Sequence, residues 1–579
     1  MSANKIEQLF FLQPELSHKY SRFWLAIAIF FSLIYSLMAL QQAFSSPYVV
    51  QDDARQHVFW MRRFLDPELF PNDLIADYFQ SVAPLGYKLI YAIPAAFEID
   101  PLVTSKILPS ILGVITTYYC FALTMELLPI PFTGFVAALL LNQNLWMQDG
   151  LISGTPKAFA IPLLLAFLYY YLRQSLSGTS LTILLLGLFY PSFVFICSGL
   201  LIIKLWQLKA NILRYKPRLS KGFLFCFIGL LVAFLVLLPY VISTSEFAPT
   251  ITVSQARSLT DFAPNGRSAF FNDRHPFDFW IGGSRSGLRL SSALIPPLTY
   301  FAVLLPFILK FKQTFPLGQK VTAKLRILTD LILVSLVMFG IAHLLLFKLH
   351  LPSRYTQNSL RIVIAIAASI SLTIITHFLF KVVFKRLVKT SFYQRLLANL
   401  ILFFLGMLLV IYPHLTNNFV WTQYVQGNAV ELYEFLQQQP KDIMVASLAS
   451  EADNLPTFAQ RSILVSQEYA IPYHAGYYFP FRQKVIDLIN ASYSNDIAVV
   501  KQFIRQYKID FWLLEANSFT PEYITSNSWL EQHQPAAQNA IAFLKQGNIP
   551  ALQVYQDSCS VLKTQQFKLI STRCILSAI

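Results

Sequence analysis

A short run of acidic and basic residues near the N-terminus is the part of this sequence best suited to chemistry. It reads Gln51-Asp52-Asp53-Ala54-Arg55 and follows the first long apolar run, residues 23–43. Asp52 and Arg55 are three positions apart, so on a helix they can face one site. A carboxylate can take a proton from a hydroxyl group, and a guanidinium can pair with phosphate oxygens. The alternative is a helix cap followed by a solvated charged face.

Other charged residues lie in the segments between later apolar runs. Lys157 follows a segment that contains Asp149, and it is suited either to a phosphate or to the membrane interface. Arg354 precedes a late apolar run. Arg361 lies one or two turns inside that run, where a charge is costly in lipid and should face the protein interior. For both arginines the alternative is interfacial anchoring.

A polar loop near the C-terminus provides a third group of candidates. Residues 451–461 follow a predicted strand, and ligand loops in α/β sheets lie at the carboxyl ends of strands. Asp453, Asn454 and Arg461 are therefore predicted to bind substrate. The alternative is a structural loop.

The elements that position these residues are predicted to lie in a membrane. Hydrophobic residues make up 55% of the 579-residue chain and charged residues 13%, against roughly 25% charged in soluble domains. Mean hydropathy is +0.51. A membrane span needs about 20 apolar residues. By that rule we predict about eleven transmembrane helices, at 23–43, 104–127, 131–147, 157–173, 179–190, 192–207, 222–243, 292–310, 327–347, 359–381 and 396–415.

The distribution of charge predicts how these helices are oriented. The net charge is +15, but the basic residues lie in short clusters between apolar runs, which indicates membrane topology rather than nucleic-acid binding. We predict a cytoplasmic N-terminus, 1–22, and a transmembrane domain, 23–415, in the plasma (inner) membrane. The segments predicted to be extracytoplasmic are the loops 44–103, 148–156, 244–291 and 348–358, and residues 416–579.

The C-terminal segment, 416–579, is predicted to be an α/β domain. Buried strands are predicted at 443–447 and 511–514, with helical stretches near 480–507 and 535–546. The last two segments, 551–558 and 562–576, are predicted to form a hairpin that carries Cys559 and Cys574. Because the extracytoplasmic side is oxidising in most cell envelopes, we predict a disulfide between them.

Short motifs in the first two hundred residues resemble the glycosyltransferase C superfamily, the polytopic enzymes that use polyprenyl-phosphate sugars. Asp52-Asp53-Ala54-Arg55 resembles the Asp-Glu-x-Arg-like motif after their first helix. Ala83-Pro84-Leu85-Gly86-Tyr87 and Lys106-Ile107-Leu108-Pro109-Ser110 resemble their juxtamembrane segment and the opening of their second helix. Leu351-Pro352-Ser353-Arg354-Tyr355 resembles a Pro-x-Arg-Tyr element before a late helix.

The resemblance implies a helical membrane bundle that transfers a sugar from a polyprenyl-phosphate-linked donor on the extracytoplasmic side. It implies that Asp52 is the general base or positions the acceptor, that Asp53 could take this role instead, and that Arg55 holds the donor phosphate. Substrate contacts are expected from four further basic residues: Lys88, Lys157, Arg354 and Arg361. The sequence indicates no cofactor, and nothing in it supports a divalent metal. The family often has an acid at the start of the helix after the second loop, where this sequence has Pro156-Lys157.

Two other function classes fit the same sequence. A transporter or flippase of lipid-linked sugars would place its ionisable residues near the bilayer midplane on broken helices, whereas here they gather at one end of the predicted array. A non-catalytic membrane scaffold is the second alternative, because the second-loop acid is missing from its usual position.

Overall fold

Long apolar helices dominate the structure, a computed structural model that describes residues 3–11, 18–212, 221–242, 245–311, 313–384 and 391–578. Six helices in this part of the chain are long and apolar enough to cross a membrane: 19–43, 101–127, 221–242, 323–344, 353–383 and 392–415. The protein is therefore a membrane protein. The predicted count of about eleven spans is not confirmed, because the other five predicted spans form shorter helices: Pro131–Trp146, 156–172, 176–189, 192–208 and 297–310.

Two helices form the centre of the bundle. Pro131–Trp146 and Ser353–Val383 are buried along most of their length and pack against each other. The helix Pro101–Leu127 lies beside the first of them and starts with a defined cap. The Asp100 carboxylate accepts a hydrogen bond from the backbone N–H of Leu102, and Pro101 occupies the first turn, where its missing N–H costs nothing.

Shorter helices occupy the end of the bundle that carries the predicted outer loops. They follow one another in the order Asp52–Val58, Phe59–Phe64 (3-10), Leu74–Val82, Leu85–Ala95, Asp149–Ile152, Pro156–Phe159 (3-10), Val253–Ser258 and Leu290–Ala293. The basic clusters predicted to face the cytoplasm, Lys204–Lys221, Lys310–Arg326 and Lys381–Arg395, are described in part, because residues 213–220, 312 and 385–390 lie outside the described residues.

The C-terminal region contains a five-stranded mixed sheet. The strands predicted at 443–447 and 511–514 are present as β3, Met444–Ser447, and β5, Phe511–Glu515. β3 and β5 pair in parallel, and β4, Ser462–Ile463, pairs in parallel with the other edge of β3. On the other side of the sheet, β7, Phe567–Ser571, pairs antiparallel with β5, and β6, Ser560–Lys563, pairs antiparallel with β7. Nine α-helices and one 3-10 helix, Ser450–Asn454, flank or connect these strands in the described residues. The α-helices are Val430–Gln437, Leu455–Phe458, Ala475–Ser492, Ile497–Tyr507, Pro521–Thr525, Ser528–Glu531, Ala536–Lys545, Ala551–Tyr555 and Thr572–Ser577.

The predicted hairpin at the end of the chain is partly wrong. Its first segment, predicted as a strand over 551–558, forms the helix Ala551–Tyr555, because Pro550 stands directly before it and favours a helix start. The hairpin is formed by β6 and β7 instead. Cys559 and Cys574 form the predicted disulfide, with their Cα atoms 5.4 Å apart.

A two-stranded ribbon joins the start of the membrane region to the C-terminal region. It consists of β1, Val49–Gln51, which directly precedes the helix Asp52–Val58, and β2, Tyr424–Gln426, in antiparallel pairing. Arg62 adds a hydrogen bond from its guanidinium to the backbone carbonyl of Thr457. The first outer loop therefore packs against the C-terminal region.

This contact corrects one expectation. The apolar side formed by Val58, Phe59, Met61, Phe64 and Leu65 predicts a helix that lies along the membrane surface. Val58, Phe59 and Met61 are instead buried inside the protein, whereas Phe64 and Leu65 are exposed. Phe59 packs edge-on against Phe70 and Tyr469, with ring centroids 5.2 and 5.4 Å apart. The C-terminal region packs against these side chains in place of lipid.

Candidate functional site

The helix Asp52–Val58 places charged residues at the outer end of the bundle. Its first turn is fixed by Gln51, whose side chain accepts a hydrogen bond from the backbone N–H of Ala54. Asp52 and Asp53 therefore stand at the positive end of the helix, where carboxylates are favoured. Because they are successive residues, their side chains leave the helix in different directions and meet different partners.

Asp53 belongs to a cluster of two carboxylates around one ammonium group. Lys157 Nζ forms ion pairs with Asp53 Oδ2 and with Asp149 Oδ2, the second at 2.7 Å. Lys157 is presented by a tight turn at Gly154, whose φ of +60° suits glycine. The Tyr91 hydroxyl donates a hydrogen bond of 2.9 Å to the Gly154 carbonyl and so holds this turn against the first outer loop.

The electrostatic surroundings of Asp149 are strongly positive. Burial alone would raise its pKa, but the charge of Lys157 and then those of Arg354 and Arg361 lower the pKa to about 2. Arg361 is buried within the bundle, as predicted, and donates a hydrogen bond to the side-chain oxygen of Gln148, the residue before Asp149. Asp149 is therefore an ionised carboxylate at physiological pH.

A cavity of about 550 Å³ adjoins this cluster. Its charged end is lined by Asp53, His57, Lys157 and Arg354. The Arg354 guanidinium donates a hydrogen bond of 3.1 Å to Gln357 Oε1, and no carboxylate of the described residues lies within salt-bridge distance of it. Arg354 can therefore offer its charge to a ligand, whereas Lys157 is already paired with two acids.

The opposite wall of the cavity is apolar and reaches the surface that faces lipid. It is formed by Phe189, Phe195 and Leu237, and by Tyr240 and Val241 near the end of the helix Lys221–Ile242. The side chains of Tyr240 and Val241 are largely exposed on the outside of the bundle. The cavity thus joins a charged end to an apolar side opening, which suits an amphipathic ligand with an anionic head.

Asp52 and Arg55 lie in a second cluster, which does not line the cavity. Arg55 Nη2 is 2.8 Å from Asp52 Oδ1 and 3.1 Å from Glu468 Oε2, and Arg55 Nη1 donates to Asn454 Oδ1 at 2.9 Å. Arg55 and Glu468 are buried, and 43% of the Asp52 side chain is exposed. Asp52 and Arg55 therefore contact each other, as their spacing predicts, and this pair faces the C-terminal region.

Glu468, in the C-terminal region, contacts both the first outer loop and the long outer loop. Its Oε2 pairs with Arg55 from the first outer loop and, at 3.0 Å, with Arg267 from the long outer loop. Its Oε1 accepts a hydrogen bond from the side chain of Gln56. A buried carboxylate with two arginines and one amide is well satisfied, so this cluster fixes the helix Asp52–Val58 relative to the C-terminal region.

The remaining predicted substrate residues lie away from the cavity. Asp453 Oδ1 accepts a hydrogen bond of 2.9 Å from the backbone N–H of Glu468. Arg461 is buried and donates to the backbone carbonyls of Gln437 and Gln439 near the end of a helix. Lys88 is half-buried on the helix Leu85–Ala95 and does not line the cavity.

Sequence reasoning missed the parts played by His57, Asp149 and Glu468. His57 lies four residues after Asp53, and this spacing places both side chains on one helix face, so the signal was present. Asp149 stands too far along the chain from Lys157 for a helical spacing to connect them. Glu468 acts across long sequence distances, for which a single sequence carries no signal.

His57 makes the stability of the site depend on pH. Burial lowers the pKa of His57 to about 4, an effect that Asp53 opposes and Lys157 reinforces. The unfolded chain takes up this proton near pH 6.5. Unfolding free energy is therefore lost as the pH falls from 6.5 towards 4, by about 2 kcal/mol between pH 7 and 5.

Thermal unfolding of the purified protein at pH 7 and pH 5 measures this effect. In His57→Gln the difference between the two pH values should shrink, whereas in His275→Gln, a substitution at an exposed histidine, it should remain. An unchanged difference in His57→Gln would contradict the assignment.

Within the described ranges, no group of three or more His, Cys, Asp or Glu side chains is placed to hold a metal ion. No family model matches the sequence, and no curated protein matches it.

Solved structures do match the fold. The apo oligosaccharyltransferase of Archaeoglobus fulgidus superposes with a TM-score of 0.54 and 11% sequence identity, covering 90% of this chain and 73% of that chain. The Archaeoglobus fulgidus oligosaccharyltransferase AglB in complex with an inhibitory peptide and a dolichol-phosphate gives a TM-score of 0.53 and 13% identity, over 90% and 72% of the two chains. This chain has the glycosyltransferase C fold. The resemblance seen in the sequence motifs is therefore confirmed at the level of the fold.

Within the glycosyltransferase C fold, the first outer loop, the second outer loop and the loop before the helix Ser353–Val383 meet at one end of the bundle. These three segments supply Asp53, Lys157 and Arg354. Two of the sequence motifs thus line one cavity, through Asp53 and Arg354, and a third adds Pro84. The motif at 106–110 does not line it, and Asp52 and Arg55 belong to the neighbouring cluster.

Proposed function

We propose that this protein is a membrane glycosyltransferase. It would take a sugar from a polyprenyl-phosphate carrier and transfer it to an acceptor on the extracytoplasmic side of the plasma membrane. The observation that carries this proposal is the cavity in which Asp53, Lys157 and Arg354 adjoin an apolar opening towards lipid. A lipid-linked sugar has the same two-part chemistry, an anionic phosphate on a long apolar chain.

The carrier phosphate is assigned to Arg354. Its planar guanidinium can form two parallel hydrogen bonds to phosphate oxygens, and it is not neutralised by an acid of the described residues. The polyprenyl chain would leave through the apolar side, past Leu237 and Val241. Lys157, paired with both carboxylates, would keep Asp53 in place.

The transfer itself is proposed as a single displacement with inversion. The acceptor hydroxyl oxygen forms a bond to the anomeric carbon while the bond from that carbon to the phosphate oxygen breaks. The hydroxyl proton passes to Asp53, and the electron pair of the broken bond leaves with the polyprenyl phosphate. The sequence motifs favour Asp52 for the role of base, whereas the cavity favours Asp53, because Asp53 lines it.

The comparisons support the class of donor. One matching structure of the same fold, AglB of Archaeoglobus fulgidus, is a complex with dolichol-phosphate, a polyprenyl-type phosphate. A shared fold with a lateral apolar opening is consistent with the same kind of carrier here. The sugar and the acceptor are not assigned.

Substitution of Arg354 tests the donor site. Arg354→Ala is expected to weaken donor binding by about 10- to 100-fold, because a hydrogen bond to a charged group contributes roughly 1.5–3 kcal/mol. The measurement is KM for a defined polyprenyl-phosphate sugar with the purified protein in detergent. Arg354→Lys should recover part of the loss, and Arg274→Ala, at an exposed arginine of the long outer loop, should leave KM unchanged. An unaltered KM in Arg354→Ala would contradict the assignment of the carrier phosphate to Arg354.

The same assay separates a transferase from a flippase. A flippase moves a lipid-linked sugar across a bilayer and leaves it intact, so in detergent it forms no product. Release of free polyprenyl phosphate together with a glycosylated acceptor supports the transferase. Binding of the donor without any turnover over a panel of acceptors would favour transport or a non-catalytic scaffold.

A further inference from the structure

A second lipid-facing depression lies at the end of the bundle opposite the candidate site. It is a groove of about 300 Å³ between the helices Ala3–Phe11, Pro131–Trp146, Ser353–Val383 and Phe392–Ile411. Its lining is apolar apart from Thr376, and Phe132, Leu372 and Leu405 are typical members. Between Leu372 and Phe380 the groove follows its helix for about 12 Å, at 1.5 Å per residue.

A charged pocket of about 460 Å³ continues this groove. Phe11 lines both, and the groove residues Thr376 and Phe380 are directly followed in the chain by the pocket residues His377 and Lys381. Lys320 and Glu7 complete the charged lining. Two lysines and one glutamate therefore line the pocket together with His377.

The two lysines are arranged to share one anion. Lys320 and Lys381 come from different segments and both lie close enough to His377 to act on it electrostatically. Neither has a carboxylate partner within salt-bridge distance among the residues that the structure describes. Basic residues next to a lipid-facing groove attract anionic headgroups.

We infer that the groove and the pocket form a binding site for a phospholipid with one negative charge, separate from the site proposed for sugar transfer. One acyl chain lies along Phe132, Leu372 and Leu405, and the phosphodiester lies between Lys320 and Lys381. The two lysines favour a headgroup with a negative charge. The site does not depend on whether the protein transfers sugars.

Gly406 offers a direct test of the acyl-chain site. It lines the groove, and a Cβ added there meets no atom within 4 Å, so Gly406→Leu has room to begin a larger side chain that occupies the groove. Gly340 is a matched control, because its added Cβ also meets open space but it lies outside the groove. Native mass spectrometry of the delipidated full chain, titrated with phosphatidylglycerol, reports lipid retention. We expect roughly tenfold weaker retention in Gly406→Leu and no change in Gly340→Leu.

The headgroup is tested by removing its charges. In Lys320→Gln/Lys381→Gln the preference for phosphatidylglycerol over phosphatidylcholine should fall by roughly thirtyfold at low salt, because each lysine near the membrane surface contributes about 1 kcal/mol. Lys221→Gln/Lys310→Gln removes the same charge from exposed lysines outside the pocket and should keep the preference.

Three results would overturn the inference. One is equal retention of phosphatidylglycerol by the Gly406→Leu and Gly340→Leu chains. Another is an unchanged preference in Lys320→Gln/Lys381→Gln. The third is a native chain that retains phosphatidylcholine as strongly as phosphatidylglycerol. Because the readout is lipid retention, a negative result here leaves the transferase assay unaffected, and the reverse also holds.

Discussion

Replacement of Asp53 by Asn is expected to lower the rate of sugar transfer by about 10²–10⁴, the usual cost of losing a positioned general base. Asn keeps the size of the side chain but cannot accept the acceptor's proton. It also loses the charge that pairs with Lys157, which then remains paired with Asp149. The loss should therefore fall on kcat, with little change in the amount of folded protein or in donor KM.

Asp52→Asn is the informative comparison. Asp52 contacts Arg55, which Glu468 and Asn454 also hold, so this change should cost much less than Asp53→Asn. Turnover is measured with a defined polyprenyl-phosphate sugar and an acceptor that the native protein uses. If Asp52→Asn abolished transfer while Asp53→Asn kept it, the base would be Asp52, as the sequence motif alone suggests, and the cavity would not be the reaction site.

Glu468→Ala is expected to destabilise the outer end of the protein by about 3 kcal/mol. The change leaves Arg55 and Arg267 without their shared carboxylate, and removal of one partner from a buried ion pair is costly because the remaining charge stays buried. Thermal unfolding of the purified chain measures the loss. Transfer should fall as well, because the helix that carries Asp53 is no longer fixed.

A thermodynamic cycle separates this effect from a general loss of stability. Arg55→Ala/Glu468→Ala should cost clearly less than the sum of the two single changes, because both remove the same contact. Glu531→Ala, at an exposed glutamate of the C-terminal region, should remain within about 0.5 kcal/mol of the native chain. Additive effects of the Arg55 and Glu468 changes would show that the two residues do not act together.

Hydrophobic patterning located most of the architecture, and its errors have physical causes. The helix predicted at 359–381 extends over Ser353–Val383. A search for apolar residues misses its first turns, because Thr356, Gln357 and Asn358 are polar although they are buried in the protein. The buried strands β3 and β5 were predictable from short apolar runs. The strands β1, β2 and β4 have two or three residues each, too few for any periodicity.

The candidate site was predictable by segment but not by contact. The motif around Asp52 identified the helix that carries Asp53, which lines the cavity. Which of its two acids faces the cavity depends on how the ribbon of β1 and β2 orients that helix, and this is a long-range pairing. The same limit applies to Lys157, whose sequence position suggested a phosphate contact, while its two acidic partners come from different loops.

The ribbon also constrains the order in which the protein can mature. Arg55 and its partner Asn454 are 399 residues apart. β1 cannot pair until β2 has been synthesised, and β2 follows the last long helix. During synthesis every long helix can enter the bilayer before β2 and Asn454 are available to hold the helix at Asp52. We therefore expect incomplete chains, and chains truncated before residue 424, to be inserted in the membrane but inactive. The contacts that hold the helix at Asp52 against the C-terminal region can therefore form only after the chain has been translated past Asn454.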